Sequence, residues 1–275
     1  MLDCSAPSHH LRLHSMYPFH YQKASSVAQA SAALARSGES RLLSGGMTLI
    51  PSLKHRLIQV DELIDIKGIP GLSDIRMQGD QLWIGAGATH KQVAQHEQVR
   101  AFSAGLADLA GLIGDPQVRA RGTLGGSVAN NDPAADYPAA VLGLAASVVT
   151  SHREIAADDF FKGMFATALA PDEVIQGLRF ARPLKSAYAK FRHPATGYAM
   201  AGVFVAQTDA GVWRVAVTGA TDGVCRWPEA EAAAGQSPAD LRFVHDGVLN
   251  DIHAPAAYRT HLVSLLYAQA VTRLS

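Results

Sequence analysis

The stretch T-L-G-G-S-V-A-N-N-D-P-A-A-D-Y-P, from Thr123 to Pro138, places two adjacent glycines ahead of an apolar run. A second glycine pair lies earlier, in S-G-G-M-T-L-I-P from Ser44 to Pro51. Because glycine has no Cβ, paired glycines let backbone N–H groups approach a ligand closely, and successive N–H groups in such turns form anion-binding concavities. Two such turns predict a ligand with two phosphate groups, such as the pyrophosphate of a dinucleotide.

Other phosphate-binding motifs find little support. A lone Gly-Gly pair is more often only a turn, and the absence of a G-x-x-x-x-G-K-[ST] segment argues against a P-loop NTPase. The segment G-A-G-A-T-H, from Gly85 to His90, begins like a dinucleotide-binding G-x-G-x-x-G but ends in histidine. Because no clear β-α-β unit with a correctly spaced acidic residue follows it, a Rossmann fold is not indicated.

The two glycine segments together resemble the FAD-binding medium subunit of the molybdenum hydroxylases, the family that includes bacterial carbon monoxide dehydrogenase and xanthine dehydrogenase. In that family an A-G-G-x-[ST]-L-[LI]-P segment and a T-[ILV]-G-G-[NS] segment hold the flavin dinucleotide, and Ser44 here replaces the usual alanine. The stretch from Gly114 to Gly122 resembles the family pattern I-x-x-x-Q-[IV]-R-x-x-[GA], and Asp132 to Asp136 resembles its D-P-A-A-[DE] segment.

The resemblance implies that this chain binds FAD, and it identifies a set of candidate contacts. The glycines would donate backbone N–H groups to the pyrophosphate, and nearby hydroxyls would add hydrogen bonds. We expect no catalytic residue and no metal ligand in this chain. The candidate cofactor-binding residues are Ser44, Gly45, Gly46, Met47, Thr48, Leu49, Thr123, Gly125, Gly126, Ser127, Asn130, Asp136, Lys190 and Tyr198.

Four of these candidates have competing interpretations. Asp136 precedes an apolar run and suits a helix N-cap, but its carboxylate equally suits a ribose or adenosine hydroxyl. Asn130 is expected to hold its turn through an Asx-type bond rather than to touch the cofactor. The resemblance places Lys190 and Tyr198 near the isoalloxazine ring, although alternating strand residues are usually only core or surface.

Composition limits the functional classes. The 275 residues contain 24 Lys plus Arg and 24 Asp plus Glu, a balance that gives no reason to expect nucleic-acid binding. No apolar stretch reaches the roughly 18 residues of a membrane span. The two cysteines, Cys4 and Cys225, cannot supply a four-cysteine iron–sulfur cluster or zinc site. They predict free thiols in a reducing compartment, and hence a cytoplasmic protein.

The predicted fold class is α+β. The resemblance implies a two-subdomain FAD-binding fold of the PCMH/vanillyl-alcohol-oxidase type, followed by a C-terminal antiparallel sheet with helices. The predicted domains are a disordered leader at 1–15, subdomain 1 at 16–71, subdomain 2 at 72–181 and a C-terminal domain at 182–275. Hydrophobic periodicity and turn signals predict helices at 25–37, 91–99, 101–113, after Asp136 and after Pro255. They predict strands at 41–43, 62–66, 81–86, 147–150, 174–180, 186–193, 199–207 and 212–219.

The resemblance further implies an electron-transfer role within a complex. A molybdopterin large subunit would oxidise the substrate, and an iron–sulfur small subunit would pass electrons through [2Fe-2S] clusters to the FAD of this chain, with a dimer of heterotrimers as the family assembly. Two alternatives stay open. The chain could be a stand-alone FAD oxidoreductase, or a non-catalytic binding or maturation protein with a degenerate flavin site, to which the substitution at Ser44 points.

Overall fold

The computed structural model describes residues 16–36, 38–208, 211–237 and 240–274. The leader expected at 1–15 and the centre of a turn expected at 208–211 lie outside these ranges. Three sheets with their helices make up the described part of the chain, so the predicted α+β class is confirmed. The domain boundaries after residues 71 and 181 stay predictions.

The first sheet is small and parallel. Its region consists of β1 (His20–Lys23), α1 (Val27–Leu34), β2 (Ser40–Leu43), α2 (Leu49–Lys54) and β3 (Glu62–Asp65), with the strand order β1-β3-β2. The helix and both strands predicted here are confirmed, and α1 begins where the Ser26 side chain accepts a hydrogen bond from the N–H of Gln29. The sequence did not predict β1, because its residues show no apolar alternation.

The second sheet is antiparallel and follows the order β4-β5-β8-β6-β7. Its strands are β4 (Ile75–Gln78), β5 (Gln81–Gly85), β6 (Ser147–Thr150), β7 (Glu154–Ala156) and β8 (Ile175–Phe180). The helices of this region are α3 (His90–Gln95), α4 (Glu97–Phe102), α5 (Ala104–Gly111), α6 (Pro116–Arg121), α7 (Leu124–Asn130), α8 (Tyr137–Gly143) and α9 (Ala157–Phe160).

Three predictions in the second region need correction. The helix predicted at 101–113 begins only at Ala104 and ends at Gly111, because Ser103 is extended, with φ −153° and ψ 101°. The helix predicted at 91–99 is two helices, α3 and α4, because His96 between them is extended, with φ −71° and ψ 127°. The second glycine pair is not a loop but the first turn of α7. Glycine is a poor helix former, but the side chain of Thr123 accepts a hydrogen bond from the N–H of Gly126 at 3.2 Å and so caps the helix.

The third sheet is antiparallel, as predicted, with the order β12-β11-β10-β9. Its elements are β9 (Pro183–Arg192), β10 (Ala199–Thr208), β11 (Trp213–Thr218), β12 (Cys225–Arg226), α10 (Pro228–Ala232) and α11 (Ala256–Thr272). The terminal helix α11 packs on β9 and β10. Leu262 and Leu266 face the sheet as predicted, whereas Tyr258 and Leu265 are exposed. The centre of the buried stripe lies about a third of a turn away from these two side chains.

The third sheet packs against helices of the second region. Helix α8 lies on β10 and β11, where a Cβ at Gly143 would collide with the ring of Phe204. Arg214 of β11 donates from Nε to the carbonyl of Leu142 at 2.8 Å and binds both carboxylate oxygens of Asp158. These contacts hold the third sheet against helices α8 and α9 of the second region.

Candidate functional site

A cleft of about 850 Å³ lies where the three sheet regions meet, a size typical of ligand sites. Of the fourteen predicted cofactor-binding residues, all but Lys190 line it. The structure thus brings together Ser44, Gly45, Gly46, Met47, Thr48, Leu49, Thr123, Gly125, Gly126, Ser127, Asn130, Asp136 and Tyr198. Residues that are distant in sequence therefore share one concave surface, which is the candidate cofactor site.

The two glycine segments contact each other within the cleft. The hydroxyl oxygens of Ser44 and Thr123 lie 3.0 Å apart and share a hydrogen bond. A Cβ at Gly45 would collide with the carbonyl oxygen of Arg121. The absence of a side chain at Gly45 therefore allows the first segment to pack against the end of α6, which leads into the second segment.

The glycines of the second segment have different roles. The N–H of Gly125 donates to the carbonyl of Ala86 at 2.8 Å, and a Cβ at Gly125 would collide with the Ala86 side chain. Its predicted donation to a pyrophosphate is therefore wrong, because its N–H is already used within the protein. At Gly126 an added Cβ would meet only the Thr123 hydroxyl, 2.9 Å away. Glycine at this cleft-lining position therefore leaves room for the Thr123 capping hydroxyl and, apart from its chain neighbours, no other side chain of the described residues lies within 4 Å of the Cβ position.

The first segment keeps its backbone donors free. Within the described ranges, no protein acceptor binds the backbone N–H groups of Gly45, Gly46, Met47 or Thr48. All four residues line the cleft, and Gly46 has a φ of +72°, which favours glycine. Successive free N–H groups in such a turn suit an anion. This run of donors fits the phosphates of a dinucleotide.

Tyr198 closes the cleft from the third region. It lies at the end of the loop between β9 and β10, where its carbonyl accepts from the N–H of His193 at 2.8 Å. Partial desolvation and the carboxylate of Asp132 raise the pKa of the Tyr198 phenol, and the Thr48 hydroxyl opposes that rise. The side chain therefore stays a neutral phenol beside the first glycine segment.

Asp136 and Lys190 form a buried ion pair that the sequence did not predict. The Lys190 ammonium donates to Asp136 at 2.9 Å and to the carbonyl of Leu112 at 3.2 Å, and the Tyr188 hydroxyl donates to Asp136 at 2.6 Å. Asp136 occupies the N-cap position of α8 as predicted, but its side chain makes no capping hydrogen bond. Burial raises the pKa of the Asp136 carboxyl, and the Lys190 charge offsets part of the rise.

The ion pair also corrects the role of the lysine. Lys190 does not line the cleft, and its side chain is only 1% exposed. Its ammonium therefore neutralises Asp136 within the protein instead of facing the cofactor space. Asp136 itself still lines the cleft, so its second predicted role, as a partner of a ribose or adenosine hydroxyl, stays a prediction.

The loop-holding role predicted for Asn130 belongs to its neighbour. The side-chain amide of Asn131 donates to the carbonyls of Gly163 and Ala166 at 2.7 and 2.8 Å. The backbone carbonyl of Asn131 accepts from the N–H of Phe165, which has a φ of +54°. This arrangement holds the exposed Phe165 ring at the cleft.

His90 is the cleft residue that sequence reasoning missed most clearly. It lines the cleft but is only 4% exposed, and its Nδ1 has no partner in the described part of the chain. Its ring lies 5.3 Å from that of Tyr137. Burial, followed by the nearby Arg119 charge, lowers the pKa of His90 to about 4. His90 is the last residue of the G-A-G-A-T-H segment, where the Rossmann pattern has a glycine.

Comparison with known proteins supplies the deciding observation. The sequence model of the FAD binding domain in molybdopterin dehydrogenase matches residues 17–182, a range that includes both glycine segments and most of the cleft. The chain belongs to this family. The predicted family and the predicted cofactor, FAD, are therefore confirmed.

Relatives of known activity match over nearly the whole chain. The chain is 32% identical to the nicotine 6-hydroxylase medium subunit of Paenarthrobacter nicotinovorans, over 91% of this chain and 95% of the relative. It is 32% identical to the carbon monoxide dehydrogenase medium chain of Afipia carboxidovorans, over 93% and 96% of the two chains.

A solved relative confirms the fold. A chain of the carbon monoxide dehydrogenase from Hydrogenophaga pseudoflava matches with a TM-score of 0.84 and 31% identity, over 94% of this chain and 98% of that chain. This member of the FAD-binding family therefore has the predicted fold and is an oxidoreductase subunit. In the described ranges, no helix is long and apolar enough to cross a bilayer, and no cluster of three potential ligands could hold a metal ion.

The buried ion pair predicts a large effect of removing its cation. We expect Lys190→Met to lower the free energy of unfolding by about 3–5 kcal/mol, because Asp136 would be left as an uncompensated buried charge. Urea denaturation measures the change. The control is Lys185→Met on the same strand, where the lysine is exposed. An Asp136→Asn/Lys190→Met double variant should lose less than the single one. A Lys190→Met variant as stable as the wild type would contradict the buried pair.

The buried imidazole predicts a pH dependence of stability. With a pKa of about 4 in the folded chain and 6.5 in the unfolded chain, His90 binds more protons when unfolded between these values. The free energy of unfolding should therefore decrease as the pH falls from 6.5 to 4, with a contribution from His90 of about 3 kcal/mol. We expect His90→Gln to flatten this part of the profile, measured by urea denaturation. The exposed His55→Gln should retain the slope, and equal slopes in both variants would refute the assignment.

Proposed function

We propose that this chain is the FAD-carrying electron-transfer subunit of a molybdenum hydroxylase complex, and that it passes electrons from [2Fe-2S] clusters of a partner to an external acceptor. The observation that carries the proposal is the run of free backbone N–H groups from Gly45 to Thr48, which shares a cleft with the open face of Gly126. A family match over residues 17–182 supports FAD as the occupant.

Different residues of the cleft would bind different parts of the cofactor. The free N–H groups of the first segment would hold phosphate oxygens. Gly126 would leave space for the same group, with the Ser127 hydroxyl as a further donor. Asp136 would accept from ribose or adenosine hydroxyls. Tyr198, as a neutral phenol on a loop of the third sheet, would cover the flavin end. When bound, FAD supplies a centre that accepts electrons singly and releases them in pairs.

The proposed partners are an iron–sulfur small subunit and a molybdopterin large subunit. Several relatives are medium subunits or chains of larger enzymes, and one solved relative is a copper- and molybdenum-containing carbon monoxide dehydrogenase. With two cysteines in the sequence, this chain cannot hold the clusters itself. Burial raises the pKa of the Cys225 thiol to about 11, which makes it a poor ligand. A dimer of heterotrimers in the cytoplasm stays a prediction.

The alternatives are weaker but testable. A degenerate flavin site would be expected to lose cleft space or donors, whereas Ser44 bonds to Thr123 and leaves the following N–H groups free. A stand-alone oxidoreductase would need its own substrate site. The family relatives that match over most of this chain are subunits, which favours the complex.

Flavin content tests the cofactor assignment. We expect the purified chain, after incubation with FAD, to show a flavin absorption spectrum with one FAD per chain, identified by chromatography after denaturation. Gly126→Val should lose FAD because its side chain would fill cleft space. Gly111→Val is the matched control, since Gly111 is also helical, has no close neighbour and lies outside the cleft. Wild-type protein that takes up no flavin would favour a degenerate site. A Gly126→Val variant that still binds FAD would show that the second glycine segment is not part of the FAD site.

Rapid mixing tests the electron-transfer role. We expect the flavin band to bleach on addition of the complex's substrate when this chain is assembled with both partner subunits, and to stay oxidised when the iron–sulfur subunit is omitted. The complex assembled from the FAD-free Gly126→Val chain should lose turnover with the external acceptor while its iron–sulfur absorption still bleaches. Substrate oxidation by this chain alone would support the stand-alone enzyme instead.

A further inference from the structure

The two glycine segments are linked at the cleft by one pair of side chains. Ser44 Oγ and Thr123 Oγ1 lie 3.0 Å apart, although 79 positions separate them in sequence. Both residues line the cleft, and Thr123 is only 6% exposed. Thr123 Oγ1 also accepts the N–H of Gly126 at 3.2 Å. One hydroxyl of the second segment therefore joins the cap of α7 to the start of the first segment.

We propose that Ser44 is a positioning residue for the FAD phosphates: its hydrogen bond to Thr123 fixes the free N–H groups that follow it relative to Gly126 before the cofactor binds. This inference rests on the proposed FAD site. It concerns a residue that departs from the family pattern. On this proposal, serine in place of alanine increases the affinity for FAD and is not a sign of a degenerate site.

The number of protons in this pair limits what it can do. Two hydroxyls bring two protons, and their mutual hydrogen bond uses one of them. Whichever hydroxyl donates in that bond, the proton of the other hydroxyl has no acceptor within the pair. It remains on a hydroxyl that lines the cleft, where an anionic oxygen can accept it. The pair therefore keeps one donor for the ligand while its other proton holds the segments together.

The position of Ser44 in the chain explains how it can orient the free N–H groups. The free N–H groups begin at the next residue, Gly45, so a shift of Ser44 would move them directly. The close approach of Gly45 to the Arg121 carbonyl brings the segments together, but such packing does not fix the orientation of a hydroxyl. The hydrogen bond adds that orientation. Donors that are held in place before binding lose less conformational freedom when the ligand arrives.

Titration of the apo-protein with FAD tests the proposal. We expect Ser44→Ala, which introduces the residue of the family pattern, to raise the Kd for FAD by about 2- to 10-fold, as for the loss of one hydrogen bond. In a Thr123→Val background the same substitution should have no further effect, whereas in a Thr123→Ser background it should weaken binding again. A coupling of this kind would separate positioning from a general loss of stability.

The matched control is Ser31→Ala. Ser31 is also partly buried and also bridges distant segments, through a bond to the carbonyl of Asp172 at 2.9 Å, but it does not line the cleft. Both variants should lower the melting temperature of the apo-protein by similar amounts, and Ser44→Ala alone should change the Kd. If wild-type protein binds FAD and Ser44→Ala binds it equally well, or if its effect persists in Thr123→Val, the inference is refuted while the proposed function stands. Wild-type protein that fails to bind FAD would refute both.

Discussion

The architecture depends on one close approach of two backbones, at Gly45 and Arg121. A Cβ at Gly45 would collide with the Arg121 carbonyl, so only glycine lets the parallel sheet region and the antiparallel sheet region meet at this distance. The contact brings the free N–H groups of the first segment opposite the helical start of the second. The cleft is therefore a product of packing between regions, none of which forms it alone.

The third sheet is tied to the same place by the D-P-A-A-D segment. The Thr218 hydroxyl donates to the carbonyl of Ala135 at 2.6 Å, and the N–H of Gly219 donates to the carbonyl of Pro133 at 2.8 Å. Asp136, at the end of the segment, holds Lys190 of β9. Carbonyls that would be unsatisfied in a buried loop are thus paired with the sheet. One short motif both lines the cleft and anchors the third region.

Thirteen of the fourteen residues predicted for the cofactor site line the cleft. Paired glycines and their flanking hydroxyls are local signals for a phosphate ligand, and the family resemblance supplied the remaining residues. The sequence could not assign the individual roles. Whether a glycine serves a ligand or another backbone depends on what lies against its Cα, as Gly45 and Gly126 show. The Lys190 pair and the buried His90 were missed for the same reason. Their partners come from distant segments, and only the folded chain brings the groups together.

The span of the cleft has a consequence for biosynthesis. Its lining begins at Leu34 and ends at Tyr198, and the loop carrying Tyr198 is bounded by strands of the third sheet. A chain emerging from the ribosome exposes the first glycine segment long before this last wall exists. The complete cleft can form only after most of the chain has been translated. A chain in which the first two regions have folded but the third sheet has not docked therefore lacks the Tyr198 wall of the cleft.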